Sequence, residues 1–386
     1  MRIDAHSQLR SEFTLKLNQL WARLFYIYGL QLHYIEDTYF PKWKKYFIML
    51  LPRLFVVLFT IRYLILTAKL NQLEVFVILG PPTIFNTITT FTAFFLQKNE
   101  TDFSALYKIL LDLTLKSPDA IKRIKRNIYT SLIITATFNV AYYIVIIKML
   151  TTQSHKYLEF NVLIYNEFNS RLLRIYLLAE TVFNVIFHQM FLGITVMYFS
   201  YMCKVLELAF KDLNEDIERA IVSTSELTNA KLSGFRRRYQ YLSQIVEKIS
   251  KSFSPLLFFW LVGLIFIFCL RIRSFKPYYE FPFRVHTVLD TCHLIYLVIV
   301  IFKNSSELQA QSSKMKGRVS ELIISDDELA ASTNQERISI NCLLFSQTLN
   351  ADNVGVSVSG LFILSTFSFL NMASTVITYV VLVYQS

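Results

Sequence analysis

The sequence is poor in charged residues, glycine, proline and cysteine. Only 17% of its 386 residues are charged, against the roughly 25% that is usual for soluble globular proteins. It holds 8 Gly and 8 Pro against 34 Phe and 22 Tyr, 54% of it is hydrophobic, and its mean hydropathy is +0.41. The apolar residues fall in blocks of about 20, the length that crosses a bilayer. The composition therefore excludes a soluble domain and predicts a polytopic membrane protein.

Residue patterns that carry chemistry are also missing. The four cysteines lie in predicted spans or inner stretches, so we expect no disulfide. The six histidines do not have metal-ligand spacing, and no HExxH or nucleophile–base arrangement is present. The first 45 residues carry charges before any apolar run, which argues against a secretory signal. We therefore expect neither an enzyme nor a cofactor.

Seven apolar stretches are long enough to be spans. Helices are the expected spanning structure, because backbone polar groups in lipid must bond within their own segment. The fourth and seventh stretches exceed the length that a span needs, so each is expected to project beyond the hydrocarbon. The stretches are Tyr46–Ala68, Leu73–Leu96, Asn127–Leu150, Leu172–Met202, Phe253–Ile272, His286–Phe302 and Asn353–Tyr384.

Lysine and arginine orient the chain. The segments on one side of the spans hold 28 Lys and Arg, and those on the other side hold 6. Because cytoplasmic loops carry the excess of positive charge, the N-terminus is predicted to be cytosolic and the C-terminus extracellular. The net charge of +11 is therefore a topology signal, and no nucleic-acid partner is expected. Asn99 and Asn304 begin sequons on the inner side, so the chain is predicted to be unglycosylated.

The fold class that follows is an all-α membrane protein of seven transmembrane helices with cytosolic helical extensions. Residues 225–253 alternate apolar and basic residues at helical spacing, which predicts a cytosolic helical pair with the end of the fourth span. Solvated charge on ordinary connectors is the alternative. The predicted parts are a cytosolic segment at 1–45, spans one to six at 46–302 with a ligand pocket in the outer half and a cytosolic helical loop at 204–252, a cytosolic loop and anchor helix at 303–352, and a pore-lining seventh helix at 353–386.

The last apolar stretch has a polar stripe. Small polar residues recur at three- and four-residue steps, and aliphatic residues continue the same face toward the outer end. Such residues either pack helices together or line a water-filled pore. In a pore, the aliphatic residues could form a constriction that gates by dewetting. The face comprises Ser368, Asn371, Ser374, Thr375, Thr378, Val381, Leu382 and Gln385.

The end of this stretch resembles the signature of the insect gustatory (taste) receptor family. Thr378 and Tyr379 are followed by VVLVY and Gln385, with Ser386 where the family usually has Phe. GLFIL, at residues 360–364, is similar to the Gly-x-Phe-x-Leu that opens the same helix in that family. The resemblance implies a homotetrameric ligand-gated cation channel, or a heteromer with related receptors, in the plasma membrane of a sensory neuron. Each subunit would line the pore with Ser374, Thr378, Val381, Leu382 and Gln385.

The ligand is then expected in a cavity within the outer halves of the spans. Carboxylates in a membrane are costly, so Glu180 and Asp290 should face a partner or a cavity. Structural pairs of Glu180 with Arg174, or of Asp290 with His293 or His286, are one interpretation. The other is a pocket for a small tastant, either a protonated alkaloid or a sugar, with bitter compounds favoured. The candidate residues are Phe85, Asn86, Tyr142, Tyr143, Tyr176, Glu180, Asn184, Asp290 and His293.

Three other membrane classes remain open at this stage. An odorant-receptor-type channel subunit shares the inverted architecture and is the nearest alternative. A seven-span G-protein-coupled receptor would need the opposite orientation, and its usual motifs are absent from this sequence. A transporter is disfavoured by an odd span count without internal repeats.

Overall fold

The computed structural model describes most of the chain beyond residue 72. It covers most of 16–30, parts of 47–68, and 73–114, 118–151, 170–222, 228–273, 281–327, 333–351 and 354–385. Most of the predicted N-terminal segment, and much of the first predicted span, therefore lie outside the described residues.

These residues form long helices and one small hairpin. The helices are α1 (Leu73–Lys98), α2 (Glu100–Thr114), α3 (Pro118–Thr151), α4 (Ser170–Asn184), α5 (Phe191–Val222), α6 (Asn229–Arg273), α7 (Phe281–Asp327), α8 (Thr333–Ala351) and α9 (Thr366–Gln385). A π-helical turn, Val185–Met190, joins α4 to α5. Strands β1 (Ser357–Val358) and β2 (Phe362–Ile363) pair antiparallel, with Ser357 opposite Ile363.

Four helical segments in the described part of the chain are long and apolar enough to cross a membrane. They are Lys122–Lys148, Leu177–Ala220, Asn229–Arg273 and Arg284–Gly317. The last helix contributes a shorter apolar segment, Thr366–Leu382. Helix α1 is also apolar and continues through Pro81 and Pro82 without a break in its helical assignment.

The core lies toward the inner, predicted cytosolic, end of the bundle. Trp21 of the N-terminal helical segment is fully buried against Tyr198 and Tyr201, with ring centroids 5.2 and 5.7 Å away. Tyr107 of α2 and Phe253 of α6 join the same aromatic cluster. Burial, and after it Tyr201 and Tyr198, hold the pKa of Tyr107 well above its ordinary value. The cluster ties four elements together at the inner end.

The inner segments are helical, as the sequence pattern predicts. Helices α5 and α6, of 32 and 45 residues, are longer than the roughly 20 residues that cross a bilayer. They contact each other, with Arg238 paired to Asp216 at 2.6 Å between Nη1 and Oδ2. Lys204 of α5 reaches Glu307 of α7 at 2.9 Å between Nζ and Oε2. The inner ends of three long helices therefore form one packed unit.

Helices α1 and α6 approach each other closely at Gly263. A Cβ atom there would overlap the side chain of Ile88, so any larger residue would have to displace that side chain. Nearby, Trp260 donates its indole N–H to Thr92 Oγ1 at 2.9 Å, and Phe91 packs on Phe259 with ring centroids 4.2 Å apart. Close backbone approach at small residues is typical of helix contacts in membranes.

The prediction of one helix over Asn353–Tyr384 is wrong in its first part. Residues 354–365 form the hairpin and its flanks, and the last helix begins only at Thr366. Ser365 caps it: its Oγ accepts from Ser368 N at 3.1 Å, and Ser368 Oγ accepts from Ser365 N at 2.8 Å. This reciprocal arrangement satisfies donors that a helix start leaves open.

The GLFIL segment therefore belongs to the hairpin and does not open the helix. Ser359 and Gly360 have positive φ values of 50° and 71°, which form the turn between the two strands. Glycine adopts such values without steric cost, and this conformation ends helical geometry.

Two helical rods run past the apolar stretches that mark the predicted spans. The cytosolic loop predicted to begin at residue 303 is a continuation of α7, which runs unbroken from Phe281 to Asp327. The fourth predicted span, Leu172–Met202, belongs to a longer helical rod that includes the π-helical turn and ends at Val222. Charged residues continue both rods beyond the apolar stretches, so hydropathy does not mark the helix ends there.

Candidate functional site

The π-helical turn lies within the predicted ligand region. It follows Asn184 directly, and its residues Val185, His188 and Gln189 are buried. A π-turn adds a residue to the helical turn and redirects the side chains that follow, and such turns occur frequently at functional sites. Sequence reasoning missed it, because periodicity does not distinguish one widened turn from a regular helix.

Glu180, one turn before the π-helical turn, forms an ion pair with Arg62 of the first predicted span. Both side chains are largely buried. Arg174 was the predicted partner, and its side chain lies outside the described residues. The structure brings Arg62 to the carboxylate. Helix packing determines this contact, because Arg62 is remote in sequence.

A second buried ion pair joins α6 to α7. Arg271 places Nε 2.8 Å and Nη2 2.5 Å from Asp290 Oδ2, and the two side chains are only 4% and 10% exposed. His286, one turn before Asp290, lies with its ring centroid 4.7 Å from that of Tyr142 on α3. The predicted partners of Asp290 were the histidines, and the structure adds Arg271. A charged residue inside a predicted span was the signal that could have identified it.

The remaining predicted ligand residues lie on α1, α3, α4 and α7. Phe85 and Asn86 are buried in α1, and Thr60 Oγ1 donates to the Asn86 carbonyl oxygen at 3.3 Å. His293 is buried and stacks on Phe138, with centroids 5.5 Å apart. Tyr143 is half-buried on α3. The side chain of Tyr176 lies outside the described residues.

An aromatic stack adjoins the Arg62–Glu180 pair. Phe55, Phe183 and Phe187 lie nearly parallel, with the Phe55 centroid 4.8 Å from Phe183 and 5.9 Å from Phe187. The stack joins the first predicted span to α4 and the π-helical turn. Aromatic walls with few polar groups are the usual composition of small-molecule sites.

The two ion pairs make the charge of this region balanced. Within the part of the chain that the structure describes, Glu180 and Asp290 each face one guanidinium, so these four groups carry no net charge together. The structure therefore presents hydrogen-bonding and aromatic groups beside charges that are already paired.

The described side chains of the last helix pack on the rest of the chain along one face. Phe369 and Met372 pack against the core, and Phe369 meets Phe302 of α7 with centroids 5.3 Å apart. Ser374 and Thr378 are exposed on the opposite face, where Thr378 Oγ1 donates to the Ser374 carbonyl oxygen at 3.0 Å.

The other predicted pore residues continue this exposed face. Val381 and Leu382 are exposed, as are Leu370 and Ile377 beside the polar stripe. Gln385 is the final helical residue, and its side chain lies outside the described residues.

The hairpin connects this helix to the inner unit. Ser250 Oγ of α6 accepts from Ser357 N at 2.9 Å and donates to Ser357 O at 3.4 Å. Ser254, one turn further along α6, accepts from Ser359 N. Two hydroxyls on one face of α6 therefore hold the hairpin backbone from which the last helix starts.

Comparison with solved structures finds the same arrangement of helices. The chain matches the insect olfactory receptor OR5 from Machilis hrabei with a TM-score of 0.74 at 11% identity, covering 98% of this chain and 99% of that one. It matches the same receptor in complex with eugenol with a TM-score of 0.68 at 11% identity, covering 96% and 98%. The fold is that of an insect olfactory receptor. No protein-family model matches the chain, and comparison with characterised proteins by sequence finds no match.

This likeness confirms an all-helical, multi-span membrane fold. The odorant and gustatory branches are not separated by it, so the gustatory assignment stays a prediction.

Proposed function

We propose that this chain is an insect chemosensory receptor that acts as a ligand-gated, non-selective cation channel. Four subunits, identical or related, would surround one pore in the plasma membrane of a sensory neuron. Each would contribute its last helix, with Ser374, Thr378, Val381, Leu382 and Gln385 toward the pore. The Thr-Tyr-x5-Gln ending supports the gustatory branch and a tastant as the ligand.

The observation that carries the proposal is the exposure of the last helix. On a helical wheel, Ser374 and Thr378 lie on one side, and Phe369 and Met372 lie on the side that packs on the core. A helix that shows a polar stripe away from its own subunit is costly in lipid, unless that stripe faces water or other subunits. A central pore between subunits supplies both.

The ion pairs bear on the chemistry of the ligand. A protonated amine entering this region would find both carboxylates already neutralised by arginine. A neutral molecule with an aromatic ring or hydroxyl groups would instead use the aromatic walls and the histidine, asparagine and tyrosine side chains. We therefore propose a neutral ligand, which favours neutral bitter compounds and sugars over charged alkaloids.

The direct test is recording from excised patches of cells that express this chain alone, without GTP on the cytosolic face. The panel compares neutral phenols and terpenes, sugars, and charged alkaloids at matched concentrations. We expect cation current evoked by neutral compounds. Current that requires GTP would contradict the channel mechanism, and responses confined to charged amines would contradict the neutral ligand.

The pore assignment is tested by cysteine accessibility. In a Cys292→Ser background, which removes an exposed native thiol, Ser374→Cys and Thr378→Cys should be blocked by a charged, water-soluble thiol reagent. Val380→Cys, half-buried on the side of the helix opposite Thr378, is the matched control and should not be blocked. Equal block at all three positions would remove the basis for this pore face.

An odorant-receptor-type subunit is the second candidate, and the likeness to an olfactory receptor favours it. The structural relative has been solved with eugenol, a small odorant. Responses to volatile phenols with none to sugars or bitter compounds would assign the chain to this class.

A further inference from the structure

The inner end of α3 carries a dense basic face. Four of the five residues at 122–126 are basic, and all four of these side chains are exposed. Between them Ile124 is buried, as is Ile128 one turn later, and both pack in the core with α5. These two isoleucines fix the rotation of the helix, so the cations point away from the bundle. The basic face comprises Lys122, Arg123, Lys125 and Arg126.

Within the described part of the chain, no aspartate or glutamate forms an ion pair with any of these four cations. The contrast is Lys204, on the neighbouring helix α5, which pairs with both Glu207 and Glu307. The basic face therefore keeps its full positive charge toward the surroundings.

On the same side of α3, the exposed side chains change along the helix from basic to aromatic and then to aliphatic. One turn after Lys125 comes Tyr129, which is exposed and has the Lys125 ammonium 5.9 Å from its ring centroid. Beyond it Ile133, Val140 and Ile144 are exposed in sequence. Tyrosine is enriched at the headgroup level, and aliphatic side chains face the acyl chains. The order of cations, tyrosine and aliphatic residues matches the depth profile of a phospholipid.

This helix is also the most peripheral of the four candidate spans. Only 17% of its apolar window is buried inside the protein, against 44% or more for the others. Its outward side is therefore available to lipid along its whole length.

We propose that the basic face at 122–126 binds the headgroup of an anionic phospholipid of the inner leaflet, whose acyl chains lie along Ile133 and Val140. Anionic lipids concentrate in the cytosolic leaflet and attract clustered lysine and arginine next to a span. Several cations within two helical turns suit a multivalent phosphate headgroup, such as that of a phosphoinositide, because arginine binds phosphate oxygens through two N–H groups. The proposal needs only the predicted orientation and not channel activity.

The test measures lipid retention by the full-length protein in neutral detergent, using native mass spectrometry. The probes are phosphatidylcholine, phosphatidylserine and phosphatidylinositol 4,5-bisphosphate, titrated separately. We expect the bisphosphate lipid to bind most tightly and phosphatidylcholine least. Replacing all four cations of the basic face by glutamine should weaken binding of the bisphosphate lipid at least about tenfold and leave phosphatidylcholine unchanged.

A charge-matched control distinguishes a specific lipid site at the basic face from general attraction between a basic protein and anionic lipid. It replaces four exposed cations of the inner helices by glutamine, namely Arg237, Lys248, Lys251 and Lys314. We expect it to change lipid affinity less than threefold. Equal losses in the two variants, or no preference of the wild-type chain for anionic lipid, would overturn the proposal.

Two further arms address the source of the phosphate and the folding of the variants. If soluble inositol trisphosphate binds as tightly as the lipid, and Ile133→Asn does not weaken lipid binding, the site takes a soluble ligand and the lipid proposal fails. Protease accessibility of an N-terminal tag verifies orientation. If the fourfold variant does not fold, Lys122→Gln with Arg126→Gln is compared with Lys248→Gln plus Lys251→Gln, and the same criteria apply.

Discussion

Removing Arg271 should destabilise the receptor far more than removing a similar arginine at the surface. Arg271 and Asp290 are almost fully buried, and both Nε and Nη2 of the arginine contact one carboxylate oxygen. Arg271→Met leaves that carboxylate charged and without its partner. Breaking a buried pair in this way costs about 3–5 kcal/mol.

The matched control is Arg219→Met. Its pair with Asp216 is equally short, at 2.6 Å between Nη2 and Oδ1, but the arginine side chain is 77% exposed. Exposed pairs contribute at most about 1 kcal/mol. The two variants therefore differ in the burial of the pair, and Arg219→Met also leaves Asp216 with a second partner, Arg238.

Thermal unfolding in detergent, followed by loss of the monodisperse chromatographic peak, measures the difference. We expect Arg271→Met to lower the midpoint by at least about 6 °C and Arg219→Met by about 2 °C or less. The double variant Arg271→Met with Asp290→Leu should recover most of the loss, because no charge is then left unpaired in the apolar interior. Equal effects of the two single variants, or a double variant as unstable as Arg271→Met, would refute this reasoning.

Two further predictions concern how the helices are held. Gly263→Val should destabilise the protein by about 1–3 kcal/mol in the same unfolding assay, because the new side chain overlaps Ile88. The control is Gly234→Ala, which should be neutral or stabilising because the position around its new Cβ atom is open. Ser250→Ala should cost about 1–2 kcal/mol, because the hairpin backbone at Ser357 loses its partner. It should also lower the maximal ligand-evoked current with little change in single-channel conductance, and an unchanged maximal current would contradict a coupling role for the hairpin.

The sequence alone determined that this is a membrane protein, because that property depends on composition. The chain has few charged residues, and its apolar blocks are long enough to cross a bilayer, so these blocks are stable in lipid and not in water. The helical nature of residues 229–252 also followed from local spacing, since an amphipathic period is readable wherever one face is buried. Such properties depend on neighbours in sequence.

The partners of the buried charges were decided only by tertiary structure. Glu180 and Asp290 were identifiable as costly, but their arginines come from other helices. Local pattern carries no information on which helix faces which, so Arg62 and Arg271 could not be assigned from spacing.

The hairpin was missed for a related reason. GLFIL is apolar enough to read as the start of a helix, and its hydropathy continues smoothly into the last span. What ends helical geometry there is the turn at Ser359 and Gly360, held from outside by hydroxyls of α6. A short apolar segment can form either a helix or a strand, and the surface on which it packs determines which one forms. Here that surface belongs to α6, and it exists only once the inner helices have assembled.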